Sequence, residues 1–496
     1  MALGRAAFYN SLYMMIGNGG QMVASLGVFL YLARVLTPTD FGAMGMAAAI
    51  VDLLTVLARW GQVEGLLQRG ADDQRIRSTS FWLLVAIGIA NVVVIALLAQ
   101  PIAWLTGTWV VASVMLLLAA VPLIGALGQV NEAILRHEMR YRGIAIRNVL
   151  ATVAGAAAAA ILATLDFGVY ALAAQKLVFT IVFTLSVIVA RPWMPSFAFM
   201  REEARRLLGT GFDITISNTL QMANGRIVDL SIGFFLGVVA LGMTRVAWRL
   251  YDFALQLIIA PLSSVSYSLF ARVRHDAEAL RQSYLQYIEL ITLIAAPIFA
   301  GVSLVSRDAI VLLAGEQWEG SASVLGLLSF SVLASCIGMI FSPVMVATEQ
   351  TAIIRRQALL QTISNVILTL VAAQISVTAV VLVYVARMYA FAAWNVLLMN
   401  RSTDVTLGSF VKRIWPILLA LVGLAAAGLG ARAYTASAPE LVRLLAVSAA
   451  GTAGYLGVLI LGDRLGLWRG FIARLLQISA SVLRRKQPAP AAAAAE

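Results

Sequence analysis

The sequence predicts an all-α protein that threads a lipid bilayer about fourteen times. Three observations predict it. Of the 496 residues, 61% are hydrophobic and only 12% are charged, where a soluble chain carries about 25% charged residues. The apolar residues gather into long runs along the whole chain, as they do when lipid is the solvent. The basic residues fall mostly between those runs and, loop by loop, on one side.

A span needs about twenty mostly apolar residues. Breaking the chain at charged or Gly/Pro-containing turns places spans near 8–33, 42–68, 79–99, 109–133, 143–165, 169–190 and 208–237, then 240–268, 283–305, 322–347, 356–373, 376–399, 414–433 and 441–461. Met1 to Asn10 has one Arg and no short apolar run ending in a cleavage site, so it reads as the start of span one and not as a removable signal. Hydropathy weakens in spans one, two, seven and eight, which carry polar residues at mid-depth; their lengths and flanks keep them as spans. Beyond span fourteen, Trp468, Phe471, Ile472, Leu475 and Leu476 recur at helical spacing beside Arg469 and Arg474. That pattern predicts a helix lying in the inner leaflet's interface. The Pro/Ala-rich stretch Gln487 to Glu496 is low-complexity and predicted to be disordered.

With both termini inside, 25 of the 36 basic residues fall on the cytoplasmic side and 4 (Arg34, Arg307, Arg432 and Arg443) on the outer side. The net charge of +12 is therefore a topology signal, and nucleic acid is not needed to explain it. One cysteine, Cys336, excludes an internal disulfide or a Cys-rich metal site, and two histidines in charged loops, His137 and His275, leave little for zinc or His catalysis. Nothing in the chain calls for a metal or cofactor.

Offset by 200 positions, residues 8–55 align with 208–255 without a gap and match at ten of 48 positions. The matches include Asn18/Asn218, Gln21/Gln221, Met22/Met222, Gly42/Gly242 and Asp52/Asp252. Asn, Gln and Asp are rare in spans, so these matches weigh more than the apolar ones. The offset carries spans one and two onto seven and eight, an even shift that keeps the orientation of both copies. Parallel six-helix repeats predict two lobes around a central path: residues 1–206 as an N-terminal lobe, 207–405 as a C-terminal lobe, 406–465 as two added spans, and 466–496 as interfacial helix and tail.

Seven basic residues fall inside spans: Arg59, Arg147, Lys176, Arg226, Arg245, Arg249 and Arg387. An Arg at the bilayer centre costs about 2.5–3.5 kcal/mol. Seven facing lipid would approach about 20 kcal/mol, beyond the ~5–15 kcal/mol net stability of a typical protein. They are expected to face protein or water instead. Arg226 and Asp229 lie three apart; Arg245, Arg249 and Asp252 follow i, i+4, i+7; Asp52 and Arg59 are seven apart. Each set occupies one helix face. Against these seven stand three deep acids, Asp52, Asp229 and Asp252, as counter-ions or coupling-ion sites, for a balance of +4 that falls to +1 if Glu64, Asp213 and Glu289 also face inward. A net-cationic, water-accessible cavity suits an anionic substrate such as a lipid diphosphate, for which Arg offers a planar two-toothed fork. The competing role for any of these charges is a structural pair that locks helices, or, for Arg147, snorkelling. Asn18, Gln21, Asn218 and Gln221 can reach sugar hydroxyls or serve as interhelical glue.

Three segments carry a resemblance. The first is Ala33-Arg34-Val35-Leu36-Thr37-Pro38-Thr39-Asp40-Phe41-Gly42, in which Thr37 caps a helix, Pro38 fits N1 and Asp40 faces the helix's positive end. The second runs from Pro261-Leu262-Ser263 to Phe270-Ala271-Arg272, followed by Asp276-Ala277-Glu278-Ala279-Leu280-Arg281 and Tyr284. The third is Leu313-Ala314-Gly315-Glu316-Gln317-Trp318 with Ala322 and Val324-Leu325. In this order the chain, over roughly residues 5–400, resembles the polysaccharide-transporter (oligosaccharide flippase) branch of the multidrug/oligosaccharidyl-lipid/polysaccharide (MOP) flippase superfamily. The resemblance implies two six-helix lobes, a central cavity and alternating access. It also implies an undecaprenyl-diphosphate-linked oligosaccharide as substrate, bound for O-antigen, capsule or exopolysaccharide, with the polysaccharide polymerase and export machinery as partners. The family's binding residues vary among members, so the candidate site rests on the charges alone.

Two other functions compete. A cation-coupled multidrug exporter of the same superfamily would want an acidic or aromatic pocket, and the intramembrane Arg excess disfavours it. A membrane polymerase or glycosyltransferase would need positioned carboxylates at the outer face, where Asp40, Asp166, Asp308, Glu316, Glu319 and Glu440 are scattered on short turns.

Overall fold

The structure is a computed structural model and describes residues 2–59, 73–138 and 141–468, with side chains described from residue 19 onward except at 57–59, 136, 141–145, 210–214, 216–218, 220–221, 259–265 and 268. The described residues form helices and no strands. In chain order they are α1 (Ala2–Val35), α2 (Pro38–Arg59), α3 (Gln74–Thr106), α4 (Trp109–Leu118), α5 (Ala120–His137), α6 (Tyr141–Thr164), α7 (Val169–Ala190), α8 (Arg201–Phe235) and α9 (Gly237–Val273). There follow α10 (Ala277–Leu304), α11 (Ser306–Ala314), a 3-10 turn (Glu316–Trp318), α12 (Ser321–Ser329), α13 (Val332–Ala347), α14 (Thr351–Ala372), α15 (Val377–Thr403), α16 (Leu407–Tyr434) and α17 (Glu440–Arg464).

Local chemistry sets the ends. Before α2, the Thr37 amide and hydroxyl donate to Asp40 Oδ2 at 3.0 and 2.6 Å while the Asp40 amide donates back to Thr37 Oγ1 at 3.3 Å, a reciprocal cap. Asp73 caps α3 through the Arg75 amide, and Asp276 caps α10 through the amides of Glu278 and Ala279. Gly107 closes α3 at φ +64°, in the left-handed region.

Among the described residues, nine helical stretches are long and apolar enough to span a membrane, and a tenth if α12 and α13, bent by 50° at their junction, are taken as one. Most spans expected from the sequence fall on a single described helix; the span near 109–133 is divided between α4 and α5, that near 322–347 between α12 and α13, and the end of span two beyond Arg59 lies outside the described residues. The long helices α8, α9 and α14 fall outside that set, and α1 is apolar over its described stretch Gly19–Val35. At 1.5 Å per residue each is long enough to cross, and α8 and α9 are the ones carrying the charge cluster. The expected interfacial helix lies beyond the described residues except for Trp468, whose indole N–H donates to the Leu459 carbonyl at 3.1 Å.

The chain forms two compact units, each drawing on separate parts of the sequence. The first comprises 1–254, 310–325 and 355–387, and the second 255–309, 326–354 and 388–496. In the first, Met46, Ile50 and Val51 of α2 pack with Ile95 and Ile102 of α3, Val114 and Met115 of α4, and Ile232 of α8. In the second, Ala296 of α10 packs with Ile417, Ala420 and Leu424 of α16 and with Tyr455 and Leu459 of α17. Two ion pairs reinforce this second unit: buried Glu289 with Arg413 at 2.5 Å, and buried Asp308 with Arg443 at 2.7 Å. Glu289 is thus engaged by α16 and does not belong with the deep acids of the first unit.

Positions related by the 200-residue offset meet inside the first unit. A Cβ on Gly42 would overlap the Val238 carbonyl oxygen, and a Cβ on Gly242 would overlap that of Pro38. The next such pair follows: Arg245 Nη1 donates to the Gly45 carbonyl at 3.1 Å. Only glycine permits so close a backbone crossing. The first and third family segments also dock here: Trp318 Nε1 donates to the Ala33 carbonyl at 2.7 Å, Gln317 Nε2 to the carbonyls of Ala33 and Leu36, and Arg34 to those of Leu312 and Leu313.

Candidate cationic site

Just along α2 and α9 from the glycine crossing, charges from four helices converge in the first unit. Asp52 on α2 takes Lys176 of α7 on one carboxylate oxygen and Arg226 of α8 on the other, the latter at 2.6 Å. Arg226 also reaches Asp229 at 3.1 Å, and Asp229 is shared with Arg245 of α9 at 3.1 Å. The result is a chain of alternating charge, Lys176–Asp52–Arg226–Asp229–Arg245. One turn further on α9, Arg249 Nη2 donates to Ser25 Oγ of α1 at 2.6 Å and its guanidinium lies 5.9 Å from the Phe29 ring centroid. Asp252 is within coulombic reach of Arg249 and Asp229.

Local sequence explains the presentation. Arg226/Asp229 and Arg245/Arg249/Asp252 each lie along one helix face, so one packing of α8 against α2 and α9 gathers them all. The five linked side chains are 14–27% exposed. They are paired but reachable. Four cations face three acids, so the described cluster carries an excess of one positive charge.

The other sequence candidates lie elsewhere. Arg147 is buried, pairs with Glu132 of α5 at 3.2 Å and sits 4.1 Å above the Phe183 ring. Its surroundings are those of a pair between α5 and α6. Arg387 is also buried, donates to the Gln361 carbonyl at 3.3 Å and stacks 5.5 Å from the Tyr384 ring. Gln21 is half-buried on α1, one turn before Ser25 and on the same face. The side chains of Arg59, Asn18, Asn218 and Gln221 lie outside the described residues. A shallow depression of about 420 Å³ beside Arg34, Gly315, Glu316 and Gln317 is a separate feature.

Some polar contacts had no clear signal in the sequence. Asn365 of α14, buried, donates to the Asn224 carbonyl of α8 at 2.6 Å. Trp248 of α9 meets Tyr384 of α15 edge-on, with centroids 4.7 Å apart. Its spacing, three after Arg245 and four before Asp252, was the available clue.

The fold defines a class. It is similar to that of the lipid II flippase MurJ in an inward closed conformation, with a TM-score of 0.71 at 14% identity over 92% of this chain and 100% of that one. It is also similar to an inward-facing multidrug resistance MATE family transporter of the MOP superfamily, with a TM-score of 0.61 at 16% identity over 78% and 96% of the two chains. The protein is thus a multi-pass membrane protein with the fold these two structures share. The family described as polysaccharide biosynthesis protein matches residues 31–323, more than half of the chain, and the chain belongs to that family. Among its relatives is the succinoglycan biosynthesis transport protein ExoT of Rhizobium meliloti, 25% identical over 67% of this chain and 68% of that protein. The lipopolysaccharide biosynthesis protein WzxC of Escherichia coli is 24% identical over 62% of this chain. The teichuronic acid biosynthesis protein TuaB of Bacillus subtilis is 22% identical over 61% of it. The chain spans 63% of the length of each of these last two.

Proposed function

We propose that this protein is a flippase that carries undecaprenyl-diphosphate-linked oligosaccharide repeat units across the bacterial inner membrane, for export as exopolysaccharide, capsule or O-antigen. The observation that carries the reading is the partly exposed cluster of Lys176, Arg226, Arg245 and Arg249, gathered from α7, α8 and α9 of a polysaccharide-biosynthesis family member. A diphosphate brings two or more negative charges into a low-dielectric setting, where guanidinium forks bind phosphate oxygens strongly. Arg249, which faces Ser25 and no carboxylate within bonding distance, is the first contact. Arg226 and Arg245 are released to the substrate as their hold on Asp52 and Asp229 loosens.

In this reading residues 1–206 and 207–405 are the two lobes, and they rock between inward- and outward-open states while the lipid tail stays in the bilayer. Both termini are cytoplasmic. The chain moves its substrate without altering a covalent bond and needs no cofactor; a polymerase and the export machinery take the product. A multidrug exporter handling cationic drugs would be repelled by the excess positive charge of the cluster.

The test is complementation of a polysaccharide-export mutant. Arg226→Glu and Arg249→Glu are expected to abolish surface polysaccharide at normal membrane levels. Normal export by both would remove the binding role, and a deletion strain that lost drug resistance but kept its polysaccharide would remove the flippase reading.

A further inference from the structure

Three polar groups, on Trp248, Asp252 and Tyr384, make no hydrogen bond to a described residue. Trp248 lies on the same face of α9 as Arg245 and Asp252. Its indole is braced from two sides, by Tyr384 edge-on at 4.7 Å and by buried Tyr251 edge-on at 5.9 Å. Tyr384 is braced in turn by the Arg387 guanidinium over its ring. Asp252 is within coulombic reach of both Tyr384 and Arg249. Indole N–H and phenol O–H groups in half-buried settings ordinarily find partners. Here Trp248 Nε1, the Tyr384 hydroxyl and the Asp252 carboxylate make no hydrogen bond to any described residue. The braced rings and open polar groups are a donor, a donor-acceptor and an acceptor set around aromatic surface. Packing alone would not need those polar atoms, and burying them unpaired would be costly.

That combination matches a pyranose, which presents hydroxyls around its rim and C–H groups on its faces. Position narrows the choice of sugar. Asp252 lies about one turn, ~5 Å along the axis, from Arg249. In a lipid-linked oligosaccharide the sugar nearest the phosphates is the one joined to them. We infer that Trp248, Tyr384 and Asp252 form a subsite for the sugar attached directly to the diphosphate, and so set which repeat units the protein accepts. The inference rests on the flippase reading and adds selectivity for the head group to it.

The full-length protein, purified in detergent, is incubated with lipid extract from cells producing the polysaccharide, spiked with undecaprenyl diphosphate. Native mass spectrometry then reads which lipids remain bound. Wild type is expected to retain the glycosylated diphosphate over the bare one by about tenfold, the worth of one or two hydrogen bonds. Tyr384→Phe and Asp252→Asn keep the shape of the site and are expected to bring the two lipids near parity; Tyr384→Phe leaves retention of the bare lipid unchanged, and Asp252→Asn, which removes an acid near Arg249, raises it. Arg249→Glu is expected to lose both. If the two isosteric variants keep the wild-type preference, or lose both lipids together, the subsite is overturned. If wild type holds the two lipids equally, the subsite falls and the flippase reading stands. If wild type holds neither, both fall.

Discussion

Among single residues, the same sequence signature conceals two environments. Arg147, Arg226 and Arg387 are all arginines at bilayer depth, but only Arg226 enters the charge cluster. The i, i+3 and i, i+4 spacings on α8 and α9 were readable because they depend on helix geometry alone. The pairing of Asp52 with Arg226, 174 positions away, depends on how helices pack, and no local pattern encodes it. This difference yields a contrast. Asp52→Asn leaves Lys176 and Arg226 side by side without their carboxylate. For side chains about one-fifth to one-quarter exposed, a cost of about 1–3 kcal/mol lies between that of surface and buried pairs. It is expected as a lower thermal midpoint in detergent together with loss of export. Glu132→Gln, which removes the charge paired with Arg147, is expected to lower the midpoint while export persists in whatever protein reaches the membrane. Loss of transport per molecule in Glu132→Gln would place Arg147 on the substrate path after all.

Among elements, the three familiar segments acquire a physical reason. Two of them, around Arg34–Gly42 and Gly315–Trp318, hold each other through Trp318, Gln317 and backbone carbonyls. Their order in the sequence was visible, whereas their mutual contact needed the fold. The offset repeat was likewise visible as matched glycines, and its consequence, two backbones crossing at Gly42 and Gly242, was not. Because a methyl group at either position would collide with a carbonyl oxygen, Gly42→Ala is expected to pry α2 from α9. Met46 is fully buried one turn below, so Met46→Cys in a Cys336→Ala background reports on the opening. Reaction with a membrane-impermeant maleimide added outside should rise severalfold when Gly42→Ala is introduced. Unchanged labelling in a folded protein would mean that the crossing does not close the path. In the second unit, Arg413→Ala removes the cation that buried Glu289 pairs with, and a loss of about 3–5 kcal/mol is expected, read by thermal unfolding. A smaller loss on the double change with Glu289→Gln would isolate the pair itself.

Across the whole molecule, hydropathy and charge pull the topology in different directions at one place. Basic residues in the loops argue for fourteen crossings with both termini inside. Among the described residues, nine or ten helical stretches are apolar enough to cross. The disagreement centres on α8 and α9 because their charges face one another across the cluster, so the burden of an intramembrane Arg is met by Asp52 and Asp229 and not by lipid. A composition test cannot register a partner contributed by another helix. If both helices cross, the turn at Leu236–Gly237 emerges on the outer face; if neither does, it stays on the cytoplasmic side. Val239 is exposed just beyond that turn, and Cys336, the single native cysteine, is buried. Val239→Cys is therefore expected to react with impermeant maleimide in intact spheroplasts. Labelling that appears only after permeabilisation would put α8 and α9 on the inner surface. The cationic cluster would then lie outside the bilayer, and a diphosphate would gain nothing there that it does not already have in water.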